Sequence, residues 1–202
     1  MLTIPQFLDF PTDEDTIEIV DFFLKMIEKK NNALYLHSQQ VANYSVSIAA
    51  KMGLPFEEVA CIKTAALLHD IGHLGVPNSI LGKYPYLSTR EFSTYKSHCL
   101  AGSSMLENIP EFSHIMKIIL HHHENWDGTG YPKRLKGVNI PLGSRIIAVA
   151  NYYDRTINPC TEHWQKSHSA ATMELKNLSG VIFDPDVVQA FVKAVTSSKS
   201  KK

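Results

Sequence analysis

The most constraining feature of the sequence is the stretch 57–71, which is apolar on almost every side when it is wound as an α-helix. Its apolar residues surround the helix axis instead of forming one stripe: Val59, Ala60, Ile62, Ala65, Ala66, Leu67 and Leu68. A helix at the surface keeps a polar face toward water, whereas a helix that is apolar all round must be covered by other elements. The sequence therefore predicts that this helix lies in the middle of a helical bundle.

The rest of the chain supplies further helices for such a bundle. Apolar residues recur at spacings of three and four, which is the period of an amphipathic helix. The predicted helices are 13–30, 34–52, one from Ser88 toward Leu106, one after Pro110, 142–154 and 184–195. Residues 72–88, with three glycines and two prolines, predict a structured loop. Because no strand-like alternation persists for six residues, we expect an all-α fold.

Composition excludes several classes of protein. The 202 residues carry 20 Lys+Arg and 20 Asp+Glu, so no basic field indicates a nucleic acid duplex as a partner. The longest apolar run, 146–150, is far shorter than the roughly 20 residues that cross a bilayer, and the acidic N-terminus is unlike a secretory signal. Cys61, Cys99 and Cys160 are widely spaced, which predicts a reduced protein of the cytoplasm.

Histidines are concentrated in the middle of the chain, where seven of the ten lie between residues 69 and 123. His69 and Asp70 end the apolar third helix, and an ionised carboxylate is costly there unless it is paired or bound to a metal. Further histidines lie on or at the ends of separate predicted helices: His37, His98, His122 and His123. Several imidazoles that converge on an Asp indicate a metal site. A helix-capping Asp beside a core His is the other interpretation.

Three consecutive histidines, His121–His123, cannot all face one point, because adjacent residues of a helix point about 100° apart. At most two of them are expected to be ligands. A helix C-terminus that simply favours cations is the alternative.

The segment 124–132 contains two glycines and a proline, which predict a defined turn. Trp126 and Tyr131 are large side chains for an ordinary surface turn. We therefore expect this segment to line the mouth of a site.

Eight short motifs follow one another in the stretch 34–193. They are His69-Asp70-Ile71-Gly72, Ile80-Leu81-Gly82-Lys83, Lys96-Ser97-His98, His122-His123-Glu124, Asp127-Gly128, Gly130-Tyr131-Pro132, Ile140-Pro141-Leu142 and Phe183-Asp184-Pro185. Together they resemble the HD-GYP family of the HD phosphohydrolase superfamily. The resemblance implies an HD-domain helical bundle with a metal centre in its core, which hydrolyses cyclic di-GMP.

The resemblance also implies roles for single residues. The implied metal ligands are His37, His69, Asp70, His98, His122 and His123, with Asn151 at the last ligand position. Asp70 and His69 are the implied catalytic residues, and Asp70 would bridge two ions that hold a hydroxide for in-line attack on phosphorus. The residues expected to contact substrate are His73, Lys83 and Tyr131. The implied cofactors are two divalent transition-metal ions, iron or manganese first and zinc or nickel otherwise.

Several positions depart from the family's pattern. His73 stands where the family has Lys, Asn151 where it has Asp, and Ala33 where members with three ions have Glu. Residues 155–160 read Arg-Thr-Ile-Asn-Pro-Cys in place of the usual Arg-Pro-Tyr segment. These differences predict two ions instead of three, with one of them held more weakly.

Two other functions stay open at this point. One is a degenerate HD-GYP module that signals through a protein partner with little or no catalysis, and the other is an HD-type hydrolase of another nucleotide. The retained histidines favour the enzyme, whereas His73 and Asn151 favour the module. The chain is divided into an N-terminal helical segment 1–33, an HD-GYP domain 34–195 and a frayed tail 196–202.

Overall fold

The computed structural model describes residues 14–83, 85–158 and 165–197. Within these ranges the chain forms ten α-helices, three short 3-10 helices and no β-strand. The α-helices are α1 Glu14–Lys30, α2 Asn32–Lys51, α3 Phe56–Leu68, α4 Asn78–Leu81, α5 Thr89–Lys96, α6 His98–Met105, α7 Ser113–Leu120, α8 Leu142–Ile157, α9 His168–Asn177 and α10 Pro185–Ser197. The 3-10 helices are Ile71–Gly75, Pro110–Phe112 and Gly137–Asn139. The predicted all-α class is confirmed.

The apolar third helix lies inside the molecule, as its composition predicts. α3 packs against α1, α2, α7 and α8, and α2 packs in turn against α1, α8 and α10. Ala65, Ala66 and Leu68 of α3 are fully buried, as are Val41, Ile48 and Ala49 of α2. The α2–α3 pair is therefore the centre around which the other helices are arranged.

Local capping explains where two of the helices begin. The Asn31 side chain accepts hydrogen bonds from the backbone N–H groups of Ala33 and Leu34, at 2.9 and 3.2 Å, so α2 starts two residues earlier than predicted. Ser88 and Glu91 form a capping box at the start of α5. These polar side chains satisfy N–H groups that have no partner within the helix.

The single helix predicted from Ser88 toward Leu106 is wrong, because the structure has two helices there. α5 ends at Lys96 and α6 begins at His98. The Ser97 N–H bonds to the Thr94 carbonyl, which tightens the last turn of α5.

α9 was not predicted from the sequence, because the apolar pattern of this helix is weak. Only Ala171 and Leu175 are buried among its residues, and its one large apolar side chain besides Leu175, Met173, is exposed. The predicted loop 72–88 also contains helical turns, namely the first 3-10 helix and α4.

α1 packs against the rest of the bundle. Leu24 and Ile27 are buried in the common core, and the Lys30 Nζ donates to the carbonyl groups of Leu74 and Val76 at 3.0 and 2.9 Å. The division of the chain at residue 33 stays a prediction. α10 extends through residues 196 and 197, which were predicted as the start of the frayed tail. The remaining tail residues, 198–202, lie outside the described residues, and so does Cys160. None of the described helices combines the length and apolar character needed to span a membrane.

Candidate metal centre

Several elements of the bundle bring histidines to one place in its interior. The contributions are His37 from the second turn of α2, His69 directly after α3, Asp70 before the first 3-10 helix, His98 at the start of α6, and His122 and His123 directly after α7. His69, Asp70 and His98 are fully buried. The convergence that the sequence analysis expected is therefore present around Asp70.

A glycine allows two of these elements to touch. A Cβ atom on Gly72 would lie 2.0 Å from the His98 carbonyl oxygen and 2.6 Å from the Gly102 nitrogen. Only a residue without a side chain permits this approach of the 3-10 helix to the start of α6. Gly72 thus sets the distance between Asp70 and His98.

Asp70 is the centre of the cluster. Its Oδ1 lies 3.4 Å from Nε2 of both His73 and His98 and 3.7 Å from Nε2 of His122, while its Oδ2 lies 3.3 Å from Nε2 of His69. Burial by itself would raise the pKa of Asp70. The neighbouring His69 and His73 imidazoles outweigh burial and hold this pKa well below its usual value. Asp70 is therefore an ionised carboxylate surrounded by imidazoles.

Three of the imidazoles are oriented in the same way. Nδ1 of His69, His98 and His122 donates to the carbonyl oxygen three residues earlier, at 2.7, 2.6 and 2.7 Å. Because a carbonyl oxygen only accepts, Nδ1 carries the proton and Nε2 presents a lone pair. Burial, followed by neighbouring imidazoles, lowers the pKa of His98 to about 3 and that of His122 well below its usual value. Both rings are neutral at pH 7, which is the form that binds a metal.

The buried donor atoms of this cluster fit a divalent metal ion. Within the described ranges, His69 Nε2, Asp70 Oδ1 and His123 Nε2 are buried and make no hydrogen bond, which is rare for buried polar atoms. Nε2 of His98 and Nε2 of His122 face each other at 3.4 Å. Two nitrogens bound to one tetrahedral ion at about 2.1 Å are separated by roughly 3.4 Å. The cluster can therefore hold a metal.

Arg155 is also part of the cluster, and the sequence analysis did not assign it to the site. Its Nη2 donates to Asp70 Oδ2 at 3.0 Å, and its Nε donates to Asn151 Oδ1 at 2.8 Å. The same Asn151 oxygen lies 3.0 Å from His37 Nε2, and His37 Nδ1 lies 2.5 Å from Asp154 Oδ2. Burial, and then the charge of Arg155, lowers the pKa of His37.

Two of the residues expected to contact substrate lie at the cluster, and the third does not contact it. His73 is 2% exposed, and its ring stacks on His98 with centroids 4.0 Å apart. The Tyr131 ring stacks on His123 with centroids 4.8 Å apart. Lys83, by contrast, is exposed and forms an ion pair with Glu91 at 2.5 Å. His73 is therefore an interior residue of the cluster, and its contact with substrate stays a prediction, as does that of Tyr131.

The turn predicted after the three histidines is present, and Glu124 organises it. The buried Glu124 carboxylate accepts from the N–H groups of Lys133 at 2.7 Å and Leu135 at 3.1 Å. A Cβ atom on Gly130 would lie 2.2 Å from the Asn125 nitrogen, so the turn folds tightly on itself. His121 points toward Glu124, with Nδ1 3.4 Å from Oε1, while His122 points toward Asp70.

Three residues of the cluster were missed by sequence reasoning. Asp154 and Arg155 follow Asn151 by three and four positions, so they share its face of α8, and this spacing is the signal that identifies them. Cys99 Sγ lies 3.5 Å from His98 Nε2, and burial raises the pKa of its thiol. Adjacency to His98 in the sequence is the only local signal for Cys99.

Comparisons with known proteins agree with this arrangement. A family model described as "HD domain" matches residues 21–187. The chain is 36% identical over 178 residues to a cyclic di-GMP phosphodiesterase of Thermotoga maritima, which covers 87% of this chain and 48% of that protein. It is 34% identical over 188 residues to the 3'3'-cGAMP-specific phosphodiesterase 3 of Vibrio cholerae, which covers 92% of this chain and 40% of that protein.

A solved structure shares the fold. An HDG"Y"P protein from Bdellovibrio bacteriovorus superposes with a TM-score of 0.66 at 23% identity, covering 79% of this chain and 51% of that chain. The chain spans about half or less of the length of these three proteins. The family model, however, matches most of the chain. The chain therefore belongs to the HD domain family, and the resemblance to HD-GYP proteins predicted from its motifs is confirmed.

Proposed function

We propose that this chain is a metal-dependent phosphohydrolase that cleaves a phosphodiester bond of a cyclic dinucleotide. The observation that carries the proposal is the buried Asp70 carboxylate, with Nε2 atoms of His69, His98 and His122 3.3 to 3.7 Å from its oxygens. Neutral imidazoles and a carboxylate are donors that divalent transition metals prefer. A bound divalent ion would supply Lewis-acid stabilisation of a phosphoryl group and would acidify a water molecule.

The protein's own contribution is to orient these donors in a site from which water is largely excluded. The backbone carbonyl groups of Ala66, Tyr95 and Ile119 fix the tautomer and direction of three imidazoles before any ligand binds. Preorganised groups in a buried site interact more strongly with charge than they would in water. The residues that would hold an ion are His69, Asp70, His98, His122 and His123, and the assignment of His37 and Asn151 as further ligands stays a prediction.

Cyclic di-GMP is the substrate that we propose to test first. The Thermotoga maritima relative is named for cyclic di-GMP and the Vibrio cholerae relative for 3'3'-cGAMP. The relatives therefore support cyclic dinucleotides as a class more strongly than they support any single cyclic dinucleotide. The edge of the cluster offers aromatic rings and a cation, because Lys96 Nζ lies 4.9 Å from the Phe92 ring and 5.7 Å from the Tyr131 ring. Aromatic faces stack on bases, and a cation attracts phosphate. Contact of Lys83 with substrate, a location in the cytoplasm, and iron or manganese as the metal stay predictions.

The proposal is tested with the purified chain loaded with Mn²⁺ or, without oxygen, with Fe²⁺. Cyclic di-GMP, 3'3'-cGAMP and cyclic di-AMP are supplied separately, and the linear product is measured by chromatography. We expect hydrolysis of at least one substrate and its loss in Asp70→Asn. Asp186→Asn, at an exposed position in the first turn of α10, is the matched control. No product with any metal and substrate would contradict the proposal.

A binding module with little catalysis is the second candidate. The observation that favours it is Arg155, whose positive charge lies at the carboxylate oxygen of Asp70 and the amide oxygen of Asn151. Calorimetric titration with cyclic di-GMP separates the two candidates. Tight binding without turnover would favour the module and a protein partner, whereas turnover favours the enzyme.

A further inference from the structure

The surroundings of the two carboxylate oxygens of Asp70 differ. We name the "histidine half" the group formed by Asp70 Oδ1 with His98, His122 and His123. We name the "arginine half" the group formed by Asp70 Oδ2 with His37, Asn151 and Arg155. His69 lies between the two, because its ring centroid is 5.1 Å from that of His122 and 5.5 Å from that of His37.

The arginine half is already satisfied by the protein. The Arg155 guanidinium donates to both oxygens that a cation would need there, Asp70 Oδ2 at 3.0 Å and Asn151 Oδ1 at 2.8 Å. Both ring nitrogens of His37 lie within hydrogen-bond distance of an oxygen, of Asn151 at 3.0 Å and of Asp154 at 2.5 Å. The guanidinium stays protonated at any pH at which the protein is folded. A divalent ion that binds there would therefore have to displace a permanent positive charge.

In the histidine half, by contrast, buried donor atoms lack hydrogen-bond partners. Asp70 Oδ1 and His123 Nε2 are buried there without a hydrogen bond, and the Nε2 atoms of His98 and His122 face each other. Ligand atoms of His98, Cys99, His122 and His123 all lie within 4.8 Å of one another. The same spacing holds for His37, His69 and Asp70, but there Arg155 donates to Asp70 Oδ2. The charge of Arg155 also acts on this half, because it contributes, after burial and the neighbouring imidazoles, to the lowered pKa of His123.

We infer that Arg155 takes the place of one metal ion, so that this chain binds a single divalent ion, in the histidine half. The inference rests on the metal centre proposed above, and it revises the two ions expected from the sequence. Asn151 fits this arrangement, because a neutral amide oxygen accepts from a guanidinium without adding a negative charge that would attract a metal. Asn151, which stands where the family has Asp, and Arg155 thus act together.

The test counts ions and identifies their environment without measuring activity. Wild type, Arg155→Gln, Asn151→Asp and the double variant are loaded with Mn²⁺, freed of excess metal by gel filtration, and analysed by mass spectrometry of the metal. Gln at 155 removes the charge but keeps an amide donor. Electron paramagnetic resonance then distinguishes an isolated Mn²⁺ ion from an exchange-coupled pair. Arg90→Gln, at an exposed position of α5, is the matched control.

We expect about one ion per chain in the wild type and in Arg90→Gln, with the spectrum of an isolated ion. The double variant should bind about two ions with a coupled spectrum, with affinity for the second ion raised at least roughly tenfold. Circular dichroism checks folding, and the wild type and Arg155→Gln decide the question if the double variant does not fold.

Two results would overturn the inference, and they differ in what they say about the proposed function. A coupled pair of ions in the wild type would overturn the role of Arg155 but leave a metal-dependent enzyme in place. Failure of every variant to bind any Mn²⁺, Fe²⁺ or Zn²⁺ would overturn the proposed function together with the inference.

Discussion

The histidine half and the arginine half share one carboxylate, yet they solve the problem of its buried charge differently. In the arginine half a guanidinium and an amide complete a hydrogen-bonded network. In the histidine half, neutral imidazoles present lone pairs to the same carboxylate and leave atoms without partners. A buried charge must be paired or bound to a metal, and this chain uses a side chain in one half and donors for an ion in the other.

The largest expected effect comes from removing the charge that both halves share. Asp70→Asn keeps the shape of the side chain but removes the anion that faces the imidazoles and Arg155. We expect hydrolysis of the cyclic dinucleotide to fall by at least about 10³-fold, because metal-based stabilisation worth several kcal/mol is lost. Initial rates and metal content measure the effect. Substantial remaining turnover by a folded Asp70→Asn variant would show that Asp70 is not central.

The next prediction compares the two halves directly through one histidine from each. His98→Ala removes a donor of the histidine half, and we expect affinity for the ion to fall by at least about 10²-fold, since even residues that only orient ligands cost 10- to 100-fold. His37→Ala should change this affinity little, because His37 is hydrogen-bonded to Asn151 and Asp154 in the arginine half. Competition with a fluorescent chelator measures both variants. Equal losses would remove the distinction between the halves.

Metal removal gives the third effect, on stability. An ion that binds only the folded chain contributes about 2.7 kcal/mol when its concentration is 100 times its Kd. For a chain of this size the melting temperature should then fall by about 5–10 °C when a chelator is added. The shift should persist in His37→Ala and vanish in His98→Ala, as measured by calorimetry. A wild type that melts at the same temperature with and without chelator would contradict metal binding in the histidine half.

The smallest effect concerns the turn that follows the histidine half. Glu124→Gln weakens the hydrogen bonds to the N–H groups of Lys133 and Leu135, and it should cost about 1–2 kcal/mol of unfolding free energy. The melting temperature should fall by roughly 2–8 °C. Asp127→Asn on the same turn is the control, because its carboxylate accepts from the backbone N–H and the hydroxyl of Thr129, two residues away. Equal melting temperatures of the two variants would show that Glu124 does not organise the turn.

The sequence predicted the helices well where an apolar pattern coincides with a cap or a break. α2 and α8 begin within two residues of their predicted starts, and α3 is buried as its composition requires. α9 was missed because two buried residues, Ala171 and Leu175, give too little period to detect. The break at Ser97 was missed because the helical pattern continues across it, and no local signal marks where α5 ends and α6 begins.

The candidate site was likewise predictable only where it depends on local features of the sequence. The imidazole donors could be proposed from the sequence, because residue type and position at helix ends are local properties. The sequence did not indicate that the His73 ring stacks on His98 inside the cluster, because this contact depends on how closely Gly72 allows two elements to approach. Such an approach has no signature in the spacing of residues along the chain.

What the sequence determined by itself is the class of fold and the chemical character of the centre, because apolar period and donor type are properties of short segments. What only the tertiary structure decided is which side chains each oxygen of Asp70 meets. In the sequence, Arg155 is one residue of a segment that departs from the family's pattern. Its guanidinium nevertheless contacts the carboxylate of Asp70, 85 residues away. The physical reason is that the partner of a long side chain is set by the packing of α8 beside the end of α3, and no local pattern encodes that packing.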